Sequence, residues 1–161
     1  MGFAELSNVL WRERELLEIL LFKLEEEQLV LATGRNRWLA HATREVEFVL
    51  EQIRDAELLR GVELQHVNAL LGTSGDLPLS TLAELAPPPW NDLFRTHRQA
   101  FLTLTNEITT LADANRDLLT AGVRSVAEAL VDVGGSAGTY NSSGRAPTVG
   151  QAGGRLLDLA F

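Results

Sequence analysis

The sequence predicts an all-α fold: an elongated antiparallel three-helix bundle with coiled-coil character, a short helix before the last long helix, and a flexible C-terminal tail. Three observations predict it. Apolar residues recur at seven-residue spacing from the start, as Phe3, Leu10, Leu17, Leu24 and Leu31. A second apolar rhythm follows after a turn of only a few residues at 33–35, and so short a connection forces the two helices antiparallel. A third, longer rhythm opens after Pro87-Pro88-Pro89. With 161 residues the chain holds one domain, at 3–133, and a glycine-rich segment at 134–161.

The first helix is expected over about 3–32. Leu6 and Leu20 supply the partner position of the heptad seam at intervals of three and four. Arg12, Glu13, Arg14, Glu15 and Glu18, then Glu25-Glu26-Glu27, read as its solvated face, and Thr33-Gly34 closes it. The second helix is expected over 36–71, capped by Asn36. Its seam runs through Leu39, Ala42, Val46, Val49, Ile53, Ala56, Leu64, Val67, Leu70 and Leu71 to the stop at Gly72-Thr73-Ser74-Gly75. Arg60 and Gly61 interrupt the rhythm, where a local distortion is expected.

The linker at 72–89 carries turn residues and one short apolar helix, about 80–85. Consecutive prolines cannot continue a helix, but the last can begin one. The final helix is therefore expected over 90–133, through Trp90, Phe94, Phe101, Leu104, Ile108, Leu111 and Leu118. At 1.5 Å per residue its length is about 66 Å. The first two helices are shorter, so the last is expected to overhang the bundle by several residues.

The expected overhang coincides with an apolar stripe of Leu118, Leu119, Val123, Val126, Leu130 and Val133. The stripe runs without a charged stop into Gly138-Thr139-Tyr140-Asn141-Ser142-Ser143-Gly144. A helix that only completes a core more often ends in a cap and a polar turn. Contiguity of an apolar face with a glycine-rich segment suits a surface for a second polypeptide. Leu118 and Leu119 are expected to pack on the first two helices, while Val126, Leu130 and Val133 are expected to meet a partner. The chain ends in the apolar run Arg155-Leu156-Leu157-Asp158-Leu159-Ala160-Phe161, a plausible docking segment.

Composition narrows the function. A net charge of −8 and a pI near 4.9 have the wrong sign for a nucleic-acid partner. The absence of cysteine excludes disulfides and thiolate chemistry. Neither a signal peptide, a membrane span nor a myristoylation pattern is expected. Glu63-Leu64-Gln65-His66 has the Glu-x-x-His spacing of di-iron bundles, but no second copy accompanies it, so a solvated helix face is the better reading. Gly134-Gly135-Ser136-Ala137-Gly138 fits Gly-x-Ser-x-Gly without the strand that motif requires. No phosphate loop occurs. Trp11, Trp38 and Trp90 lie near helix ends and read as end-packing residues rather than interface anchors. No catalytic residue, metal or cofactor is expected.

The heptad-patterned N-terminal pair, the long last helix with Leu111-Ala112-Asp113-Ala114-Asn115-Arg116-Asp117-Leu118-Leu119, and the Gly138 to Gly144 segment together resemble FlgN-type flagellar export chaperones over residues 5–145. The resemblance implies a cytoplasmic, non-enzymatic chaperone of the hook-associated proteins that join hook to filament. It would hold the client's amphipathic C-terminal helical segment and deliver it to the type III export apparatus, with no membrane insertion. The family's client contacts lie towards the C-terminal part of the last helix. Carried over, they fall on Leu118, Leu119, Val123, Val126 and Leu130, with Val133 and Tyr140 beyond them. Family members commonly have an acidic residue where this chain has Asn141, and the Pro87 to Pro89 run and the apolar terminus have no match in the pattern. The competing reading is a structural coiled coil that associates with copies of itself.

Overall fold

A computed structural model describes residues 2–134. The elements are α1 (Phe3–Ala32), a single 3-10 turn (Asn36–Trp38), α2 (Leu39–Leu71), α3 (Leu79–Leu85) and α4 (Trp90–Gly134), all helical as the periodicity predicts. Leu156 to Phe161, Tyr140 and the expected glycine-rich tail lie outside the described residues.

The three long helices alternate in direction, and α1 packs on both others. Glu13 meets Arg60 at one end of the α1/α2 pair and Glu27 meets Thr43 at the other, so these two run antiparallel. Phe3 stacks on Trp90 while Asn115 reaches Leu24, so α4 runs parallel to α1. The reversal between α1 and α2 is tight: Thr33 Oγ1 donates to Leu29 O at 2.7 Å, and Gly34 adopts a positive φ of 66°. Asn36 falls inside the 3-10 turn and gives no side-chain cap, contrary to the expectation; α2 proper begins at Leu39. Nor is α2 distorted at Arg60-Gly61, which lie within one unbroken helix.

The core is one aliphatic seam with two aromatic rings from α4. Leu6, Leu10, Leu17, Leu20 and Leu24 of α1 pack with Val46, Val49, Ile53 and Val67 of α2 and with Phe94, Phe101 and Ile108 of α4. Phe94 and Phe101 are fully enclosed. Truncating either ring to alanine removes its packing and leaves a cavity, a loss of about 3–5 kcal/mol. The short α3 buries Leu79, Leu82 and Ala83, packs on α4, and so covers one side of that helix near its start.

Asn68 organises the start of the linker. Its Nδ2 donates to Gly75 O at 2.8 Å, its Oδ1 accepts from Thr73 Oγ1 at 3.0 Å, and Gly72 ends α2 in the left-handed conformation. The backbone carbonyl of Asn68, which a helix end otherwise leaves unpaired, accepts from Thr73 N at 3.0 Å.

Two polar residues on α1 correct the sequence reading. Glu13, placed on the solvated face, is only 3% exposed and pairs with Arg60 at 3.2 Å. Burial, opposed by Arg60 and reinforced by the like charge of Glu57, raises its pKa to about 7. Glu27 is not simply wet either. Its carboxylate accepts from Thr43 of α2 and from Asn115 of α4, tying the three long helices together at one level.

Candidate functional site

Burial along α4 stops at one residue. Phe94, His97, Phe101, Ile108 and Asn115 are buried, and every residue from Arg116 to Gly134 is exposed. Asn115 marks the boundary: its Nδ2 donates to Leu24 O at 2.9 Å and to Glu27 Oε1 at 3.1 Å. α1 runs on for eight residues past Leu24, to Ala32, yet it encloses no side chain of α4 after Asn115. The exposed stretch from Arg116 to Gly134 is roughly 28 Å long at 1.5 Å per residue.

What projects is apolar on one side. At 100° per residue, Leu119, Val123, Val126, Leu130 and Val133 fall within an arc of about 80° that also contains Phe94, Phe101 and Ile108. The exposed stripe is thus the straight continuation of the face that builds the core. Val133 is 88% exposed and Val123 65%, against 0% for Phe101. Leu118 and Leu119, expected to pack on the first two helices, are 38% and 47% exposed. Both lie just past Asn115, the last residue of α4 that the bundle encloses. Leu118 stands to one side of the arc, next to the line of Leu104 and Leu111, so it flanks the stripe.

The remaining candidates do not assemble a reactive site. Glu63 Oε2 and His66 Nδ1 lie 3.1 Å apart on an exposed stretch of α2, and no group of three or more potential metal ligands occurs among the described residues. A groove of about 680 Å³ between α1 and α4 is lined by Arg14, Glu18, Arg95, Gln99 and Leu104. It lies alongside the folded body, away from the projecting stripe. Trp90 packs at a bundle end against Phe3 and Phe94. Trp38 carries Arg37 over its ring beside the 3-10 turn, and Trp11 lies edge-on to His97 at 4.9 Å with Arg14 on its face.

His97 is a residue whose burial the sequence reading missed. It is fully enclosed, Ser7 Oγ lies 3.4 Å from its Nε2, and its Nδ1 has no partner. Burial, and then the nearby Arg14, hold its pKa down to about 4, so the ring is neutral inside the bundle. Its position three residues after Phe94 and four before Phe101 was the available signal, since that spacing puts it on the core face.

Among the described residues no helix is long and apolar enough to cross a membrane. Searches of curated proteins and of solved structures returned no match. A family model described as FlgN protein matches residues 1–148, which takes in all four helices and the projecting stripe. That match covers most of the 161 residues, and the chain belongs to the FlgN family of flagellar export chaperones.

Proposed function

We propose that this chain is a cytoplasmic chaperone that holds the C-terminal helical segment of a hook-associated protein against the projecting end of α4, keeps that client unassembled, and releases it to the export apparatus. Client contacts are assigned to Leu118, Leu119, Val123, Val126, Leu130 and Val133, with Tyr140 beyond the described residues. The observation that supports the reading is the continuity of the core face into a fully exposed stripe. An isolated apolar face of this length is either an interaction site or an aggregation liability. A client helix presenting apolar residues at intervals of three and four would pack along it as α1 packs along the earlier part of α4. The stripe carries Val and Leu and no aromatic anchor, which suits the moderate affinity that release demands. Membership of a chaperone family supports a binding role rather than catalysis.

The test is calorimetric titration of the purified chain with C-terminal segments of hook-associated proteins. Val126→Asp and Leu130→Asp should abolish binding while leaving the melting temperature close to that of the unsubstituted protein. Unimpaired binding by both variants would refute the assignment. A concentration-dependent dimer in sedimentation, disrupted by the same two substitutions, would favour the self-associating coiled coil instead.

A further inference from the structure

We infer that residues 155–161 of this same chain occupy the α4 stripe when no client does. This rests on the stripe being the client surface and adds a competitor for it. The stripe from Leu119 to Val133 is exposed along its whole length, and at 1.5 Å per residue it is about 21 Å long. The chain leaves the far end of that stripe at Gly134 and carries, after residues 135–154, the run Arg155-Leu156-Leu157-Asp158-Leu159-Ala160-Phe161.

Two matches single out this occupant. The first is chemical. In a helical turn Leu156, Leu159 and Ala160 share one side, with Leu157 and Phe161 beside it, so the run can present an apolar strip to an apolar stripe. The second is reach. Residues 135–154 include six glycines, and a chain of such composition and length has an r.m.s. span of about 25 Å. That span is close to the length of the stripe, so the run can fold back onto any part of it. Effective concentration is highest when linker span and site separation agree, and reaches the millimolar range for short linkers.

The consequence is a weak mask. Seven residues bury little area, and so short a helix is not stable alone. The run therefore shields the stripe from other copies yet yields to a longer client helix.

The chain has no cysteine, so Asp158→Cys gives a single attachment point for a nitroxide in the full-length protein. Methyl resonances of Val123, Val126 and Leu130 should broaden, to an extent unchanged on dilution. The broadening should vanish when Leu156, Leu157 and Phe161 are all changed to Ser. Absence of broadening overturns the inference, as does broadening that fades on dilution, which would report contact between two copies. No client is present in this measurement, so its failure leaves the client assignment standing; broadening without any client binding removes only the client assignment. Against a client segment that does bind, the triple Ser variant should bind on the order of three- to tenfold more tightly than the unsubstituted chain. Equal affinity overturns the competition.

Discussion

Removing Glu13 should expose a pH dependence that the intact protein conceals. Glu13 has a folded-state pKa of about 7 against an ordinary 4.5, so its contribution to stability is full below 4.5 and is lost as pH rises through 7. His97 works in the opposite direction. Its folded-state pKa of about 4 lies below the ordinary 6.5, so its contribution is present above 6.5 and is lost as pH falls through 4. Integrating each shift from about pH 5 to about pH 8, the carboxyl costs roughly 2.5 kcal/mol and the imidazole returns roughly 2 kcal/mol. The two nearly cancel. Glu13→Gln removes the first contribution, so acidification from about pH 8 to about pH 5 should destabilise the variant by roughly 2.5 kcal/mol more than it does the wild type. His97→Gln removes the second, and the loss should then appear on the alkaline side. The assay is urea unfolding followed by far-ultraviolet circular dichroism across the pH range, read as variant minus wild type. Groups common to both chains that do not interact with Glu13 drop out of that difference. Any packing loss that does not depend on pH shifts the whole curve and leaves its slope alone. A flat difference curve for Glu13→Gln would refute the reasoning, because it would mean that Glu13 titrates alike in the folded and unfolded chains.

Other expectations concern the division of α4. Phe101→Ala should cost about 3–5 kcal/mol in urea unfolding, whereas Val126→Ala should change stability by less than about 0.5 kcal/mol, because only the first ring is enclosed. Asn115→Ala removes the donor to Leu24 O and Glu27 and should cost about 1–2 kcal/mol by the same assay. Gly72→Ala places a side chain at a φ of 68° with no steric neighbour, so a loss of about 1 kcal/mol in thermal unfolding would come from the left-handed backbone alone.

The order of the helices and the projecting end were legible in the sequence because both follow from spacing. Heptads at Phe3, Leu10, Leu17, Leu24 and Leu31 fix one line of the α1 seam, and the excess length of the last helix fixes an overhang. What the hydropathy pattern misplaced were the polar residues on the seam itself. Glu13 and Glu27 lie seven residues on from Leu6 and Leu20 respectively, so both occupy core-facing positions; reading charge as a sign of solvent put them outside. Spacing outranks residue type here because the partners, Arg60 for Glu13 and Asn115 with Thr43 for Glu27, come from helices far along the chain. Leu118 and Leu119 erred the other way. Their hydrophobicity suggested a core, but no side chain of α4 beyond Asn115 is enclosed, although α1 runs on to Ala32. The height at which Asn115 meets Leu24 is a tertiary fact, and no local pattern encodes it.

The boundary at Asn115 also separates side chains that the fold needs from side chains that it does not. Above Arg116 no side chain contributes to the enclosed core, so substitutions there can follow the shape of a changing partner without endangering the fold. The same isolation removes tertiary support from that stretch. A helix of some nineteen residues is marginal in water without packing, and its last turns gain their order from whatever lies against them. Client recognition at this end, as proposed, would be coupled to a helix–coil equilibrium, and its affinity would fall with warming faster than contact area alone predicts.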